Sequence, residues 1–297
     1  MSYIKTHDDV KLYVKDWGAG RPVIMMHGWP LSSDSFDDLS MAIANAGMRA
    51  IAYDRRGFGR SDQPWSGYDY NTLTDDLAAV IEQTSALDAT LLGFSMGGGE
   101  VARYMSRHGG AGIRQAILVS SVVPYMPKTE DNPTGVEQSI LDSMTQELKT
   151  DRAKFWTPFF KRFYGVGMIS HPVSEEILEW SASLAMRASL KATLDCAAAF
   201  AATDFRPDLP SFKVPTLIIH GSSDKTVPID TGGRAAAAGI PGSTLLEYEG
   251  APHGLFASHK QRFIEDVLNF ARSVDYRASL TRRGTVAAPR VTTSPVV

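Results

Sequence analysis

The chain has 297 residues, 43% of them hydrophobic and 21% charged, with a formal net charge of -3 at pH 7. That length and composition allow a substantial core, built as one large α/β domain or as a domain carrying an insertion. A charge so close to balance gives no reason to expect nucleic acid or an anionic membrane as a partner. The opening Met1 to Asp9 has no apolar stretch of the signal-peptide kind and no run of 18 apolar residues occurs, so a cytoplasmic protein is expected. Cys196 is the single cysteine, which excludes an internal disulfide; beside Leu194, Ala197 and Phe200 it reads as a small buried hydrophobe.

Residues 2–6 and 10–17 alternate as two strands joined at the acidic turn Asp8-Asp9, an antiparallel start to a sheet. Pro22-Val23-Ile24-Met25-Met26 is a continuous apolar run, as expected of a strand covered on both faces, and it ends in His27-Gly28-Trp29-Pro30-Leu31. Phe36, Leu39, Ile43 and Ala46 predict a helix over 35–46, and Arg49 to Tyr53 a second buried strand. The loop Asp54 to Asp62 is rich in glycine and arginine, but no phosphate-binding pattern accompanies it, so its arginines read as ion-pair partners. A helix over 72–84, an apolar strand Ala89-Thr90-Leu91-Leu92 running on toward Ser95, a helix over 97–107 and a strand Ile113 to Ser120 follow. This alternation predicts a mostly parallel sheet with helices on both faces.

The rhythm breaks at Pro124. From 124 to 210 no buried strand is evident, and the stretch reads as several helices carrying Phe155, Trp156, Phe159, Phe160, Phe163 and Tyr164. Such a block predicts a helical cap over the carboxyl end of the sheet, where ligands bind in open α/β folds. The sheet resumes at 215–221 and 244–248, with helices over 230–239 and 260–272. The predicted organisation is therefore a core of 1–123 and 211–274, a cap of 124–210, and a basic, poorly structured tail of 275–297.

Within this plan the stretch Gly93-Phe94-Ser95-Met96-Gly97 joins a strand to a helix. A GxSxG string arises by chance in about one chain in ten of this length, so its setting decides its meaning. Strand, GxSxG and helix together make a nucleophile elbow, which exposes a serine hydroxyl on a strained turn. Serine needs a base to take its proton and a carboxylate to orient that base. Asp224 stands just past one strand and His253 in the loop after the next, giving the order Ser, Asp, His along the chain. Among other acids Asp204 and Asp230 approach a linker and a helix, and His27 and His220 read as hydrogen-bonding their own loops. An oxyanion hole would use the N–H groups of Met96 and Trp29. The chemistry expected is acyl transfer from an ester through an acyl-enzyme, with no metal and no organic cofactor.

These strings, with Tyr53-Asp54-Arg55-Arg56-Gly57-Phe58-Gly59-Arg60-Ser61-Asp62 and Ala251-Pro252-His253-Gly254, resemble the cofactor-free bacterial haloperoxidases, or perhydrolases, and related aryl esterases of the α/β-hydrolase superfamily. The resemblance runs over about residues 2–273 and departs at the tail. It implies that hydrogen peroxide as well as water opens the acyl-enzyme, giving a peracid that oxidises halide, and that the chain forms a homo-oligomer, a trimer or a pair of trimers. At Pro30 two readings stay open: it aims the Trp29 carbonyl at peroxide, or it only stiffens the loop. Met126, Phe159, Phe163 and Val227 join Trp29 and Pro30 as pocket candidates. The alternatives are a plain carboxylesterase or lactonase and, more remotely, a ligand receptor without turnover. Haloalkane dehalogenases and epoxide hydrolases use a carboxylate nucleophile, which Ser95 argues against.

Overall fold

The computed structural model describes residues 3–273. Eight strands form one sheet: β1 (Tyr3–Lys5), β2 (Lys11–Gly18), β3 (Pro22–Met26), β4 (Arg49–Tyr53), β5 (Ala89–Phe94), β6 (Ile113–Val119), β7 (Thr216–Gly221) and β8 (Thr244–Tyr248). Their order is β1-β2-β4-β3-β5-β6-β7-β8. The first two strands are antiparallel to their neighbours and all later pairs are parallel. Every residue of β3 and β5 is buried, because helices cover both faces and leave no solvated side.

The helices are α1 (Asp37–Asn45), α2 (Tyr70–Thr84), α3 (Met96–Arg107), α4 (Gln138–Phe163), α5 (Glu175–Arg187), α6 (Leu190–Ala202), α7 (Ala235–Gly239), α8 (Leu255–Ser258) and α9 (Lys260–Arg272). The helix expected over 35–46 is split, a 3₁₀ turn Ser33–Phe36 running into α1. Helix α2 starts two residues earlier than its apolar period suggests because Asp69 caps it, accepting from the N–H groups of Asn71 and Thr72. The expected helix over 230–239 opens as a π turn, Asp230–Arg234. Cys196 is fully buried. The tail expected over 275–297 lies outside the described residues. No helix among the described residues is long and apolar enough to cross a membrane.

Residues 124–210 supply α4, α5 and α6, with two isolated bridges in place of strands. Helix α4 is broken at Asp151, whose φ of -159° is not helical and whose carboxylate accepts from the Lys154 N–H at 2.9 Å. The aromatic run on its second half interlocks with neighbouring rings, Trp156 lying 5.3 Å and Phe159 5.5 Å from Trp29, centroid to centroid. The loop from α4 to α5 is left outside this packing, Met168 being 96% and Ile169 95% exposed.

Helix α3 sits unusually close to the sheet. A β-carbon added at Gly97 would lie 2.3 Å from the Met26 carbonyl oxygen, and one at Gly93 would lie 2.3 Å from the Gly97 carbonyl oxygen. Backbone stands behind both contacts, so no side chain can swing aside. Gly97→Ala is therefore expected to lower the unfolding free energy by about 3 kcal/mol, while Gly167→Ala, with nothing within 4 Å of its added carbon, leaves thermal unfolding unchanged. Equal melting temperatures for the two variants would contradict the close-packing account.

Candidate active site

Three side chains separated widely in sequence meet at the carboxyl edge of the sheet. Ser95 follows β5, Asp224 lies beyond β7 and His253 beyond β8. His253 Nε2 is 2.9 Å from Ser95 Oγ, and His253 Nδ1 is 2.6 Å from Asp224 Oδ2. A carboxylate only accepts, so Nδ1 carries the proton and Nε2 is left to accept from the Ser95 hydroxyl. His253 and the Asp224 side chain are fully buried, while Ser95 is 6% exposed and borders a cavity.

The backbone brings Ser95 there at a conformational cost. Its φ of 54° and ψ of -115° lie where residues with a β-carbon seldom go. The Ser95 N–H donates to the Val119 carbonyl at 2.8 Å, and its own carbonyl accepts from Gly98 at 3.0 Å. His253 is held from behind: Phe94 and Phe163 lie 5.2 Å and 4.8 Å from its ring, and the Gly254 N–H donates to the Phe163 carbonyl at 2.8 Å.

Asp224 is held through both oxygens. Oδ1 accepts from the N–H groups of Thr226 and Val227 at 2.8 Å each, and Oδ2 faces His253 and, at 3.3 Å, His220 Nε2. Burial alone would raise the Asp224 carboxyl, but the His253 imidazole and the hydrogen bonds from His220 and His253 outweigh it and hold the group well below the usual carboxylate range. The rival acids are occupied elsewhere, Asp204 with Arg206 and Asp230 with Arg234.

Met96 is the first residue of α3, so its N–H has no partner within the helix. Trp29 follows β3 with its indole anchored to the Thr193 carbonyl on α6 at 3.0 Å, and its backbone N–H makes no hydrogen bond among the described residues. The Trp29–Pro30 peptide bond is cis. This loop is braced from below. Arg55 donates to the His27 carbonyl at 2.7 Å and pairs with Glu100 on α3, both side chains fully buried. The Arg55 N–H donates to His27 Nε2 at 3.0 Å; burial, with the Arg55 charge adding to it, pushes the His27 imidazole down to about 3. Arg56 pairs with Asp8 and Asp76, and Arg60 with Asp54 and Asp34, so all three loop arginines sit in ion pairs.

A cavity of about 530 Å³ opens onto Ser95, lined also by Trp29, Met126, Phe159 and Val227. Two pocket candidates lie elsewhere. Phe163, one turn beyond Phe159, packs against His253 and does not border the cavity. Pro30 is buried and does not border the cavity. Sequence reasoning missed Met144 and Phe155 in the lining and the contact of His220 with Asp224. The spacing of four between His220 and Asp224, spanning a strand end and a turn, was the one signal for the latter. Among the described residues no three His, Cys, Asp or Glu side chains gather as a metal-binding group.

A family model described as the alpha/beta hydrolase fold matches residues 21–260. The chain is 40% identical over 272 residues to the non-heme chloroperoxidase CPO-A1 of Kitasatospora aureofaciens, covering 91% of this chain and 99% of that one. It is 39% identical over 277 residues to the bifunctional esterase/perhydrolase DCH of Acinetobacter calcoaceticus, covering 92% and 100%. A bromoperoxidase from Bacillus anthracis superposes on it with a TM-score of 0.88 at 43% identity, over 91% of this chain and 99% of its own.

The depressed carboxyl of Asp224 has a definite sign. Its stabilising contribution is complete above the ordinary carboxylate range and is lost as pH falls through that range toward the folded value. The difference in melting temperature between the parent protein and Asp224→Asn is therefore expected to be constant above about pH 5 and to narrow below about pH 4. Melting curves recorded across that interval check it, and a gap that widens on acidification would reverse the assignment.

Proposed function

Because the chain belongs to the alpha/beta hydrolase family, and within it stands with the non-heme chloroperoxidases and perhydrolases, we propose that Ser95, His253 and Asp224 are its nucleophile, base and orienting acid in acyl transfer from small esters. The observation that carries this reading is the relay of 2.9 Å and 2.6 Å through one imidazole.

Ser95 Oγ attacks the ester carbonyl as His253 Nε2 takes its proton, and Asp224 keeps the ring in the required tautomer. The oxyanion of the tetrahedral intermediate is received by the N–H groups of Met96 and Trp29, donors set in place before the charge develops. His253 then protonates the departing alcohol, leaving an acyl group on Ser95. Water returns the carboxylic acid. Hydrogen peroxide, the second nucleophile that the relatives' activities imply, returns a peracid, whose terminal oxygen passes to bromide or chloride while the peracid is reduced to the acid. No metal takes part in these steps. The helices of residues 124–210 serve as the cap that shapes the acyl site, since Met126, Phe155, Phe159 and Phe200 line the cavity with Ser95. Assembly as a homo-oligomer accompanies this reading, carried over from the resemblance.

Hydrolysis without useful perhydrolysis is the second reading. It is favoured by the cavity, which at about 530 Å³ holds far more than an acetyl group and suits bulky or aromatic acyl esters. A panel of acetate, butyrate and aryl esters, run with water alone and with added peroxide, separates the two. Ser95→Ala is expected to lower ester turnover by about 10⁵-fold or more; retention of turnover in that variant ends the serine mechanism. Pro30→Leu is expected to lower the ratio of peracid to acid formed from acetate esters while preserving hydrolysis. An unchanged ratio would leave Pro30 as a loop stiffener only.

A further inference from the structure

His220 is the last side chain of β7 before its terminal glycine, and it is fully buried. Its Nε2 lies 2.9 Å from the Val227 carbonyl oxygen and 3.3 Å from Asp224 Oδ2. Both partners are acceptors, so Nε2 carries the proton and Nδ1 holds only a lone pair. Nδ1 is buried with no hydrogen-bond partner among the described residues. The imidazole packs closely against the π turn. A β-carbon at Gly232 would stand 2.7 Å from His220 Cε1, and one at Gly233 would stand 2.9 Å from Nδ1, so this pair of glycines makes a slot for the ring.

An ionised carboxylate offers about four acceptor directions. On Asp224 the amides of Thr226 and Val227 take two, at Oδ1, and His253 takes one at Oδ2. His220 Nε2, 3.3 Å from Oδ2, faces the remaining one.

We propose that His220 is a positioning residue: its Nε2–H, shared between the Val227 carbonyl and Asp224 Oδ2, fixes the plane of the carboxylate so that Oδ2 stays aimed at His253. This rests on the assignment of Ser95, His253 and Asp224 given above. Without that donor, Oδ2 is held by the base alone, and the base must change protonation in every cycle. Rotation about Cβ–Cγ would then carry the acid away from Nδ1. The unpartnered Nδ1 fits the same account, since a ring chosen for packing alone has no need to bury a lone pair at a cost.

The test compares kcat and KM for p-nitrophenyl acetate in the parent protein, His220→Leu, His220→Gln and Ser95→Ala. His220→Leu is expected to lose about 10- to 100-fold in kcat at unchanged KM, the scale on which misplacement of a catalytic group is felt. His220→Gln presents an amide N–H at the same reach and is expected to recover most of the loss. Full kcat in a folded His220→Leu variant, or equal losses in the leucine and glutamine variants, overturns the proposal. Turnover surviving in Ser95→Ala instead removes the serine reading itself and is told apart by that. Nitrogen-15 spectra of histidine-labelled parent protein need no folded variant of His220: a proton on Nε2 is expected, and a proton on Nδ1 overturns the assignment.

Discussion

The backbone at Ser95 is where the rest of the molecule is decided. A residue with a side chain is held at φ 54° and ψ -115°, a conformation that costs on the order of 1–3 kcal/mol and persists only when its surroundings over-determine it. Those surroundings are the Val119 carbonyl below, the Gly98 amide ahead and the close contact of α3 with β3 and β5 that the glycines permit. Releasing the strain would move Ser95 Oγ away from His253, so the packing of an entire helix on an entire sheet is coupled to one hydroxyl.

The charged interior serves the same end. A buried ion pair recovers little more than its desolvation cost, and replacing it with apolar side chains is often neutral. What the pair of Arg55 and Glu100 does here is geometric. Glu100 stands one turn along α3 from Met96, and Arg55 donates to the carbonyl of His27, two residues before Trp29. One charge pair thus ties the helix that carries one proposed oxyanion donor to the loop that carries the other. Trp29 is also anchored to α6 through its indole, so the inserted helices are tied to that loop as well.

Periodicity and punctuation made most of the fold legible. Strands β3, β4 and β5 are continuous apolar runs bounded by glycine or charge, and they lie where the residues placed them. Ser95, Asp224 and His253 were legible because each follows a recognisable strand, so topology alone carries them to one edge of the sheet. Contacts within loops and helix faces were not. Phe163 belongs to a helix whose last nine residues include five aromatic ones, and composition cannot tell which rings face a cavity and which face a histidine. Helix α8 has four residues, too few for any period to register. His220 and Asp224 meet across a turn whose shape depends on backbone hydrogen bonds to the loop after β8, so their spacing of four hints at the contact without fixing it.

The site is divided along the chain. Its hydroxyl and proposed oxyanion donors belong to the segment before α4, its acid and base to the segment after α6, and between them runs the loop that exposes Met168 and Ile169 almost completely. Exposed loop tips are where chains tolerate cutting. A molecule severed there would consist of two fragments, each inert by itself because one lacks an imidazole and the other a nucleophile. Colour released from a chromogenic ester would then signal that the fragments had been brought together, which makes the fold a natural scaffold for a split reporter.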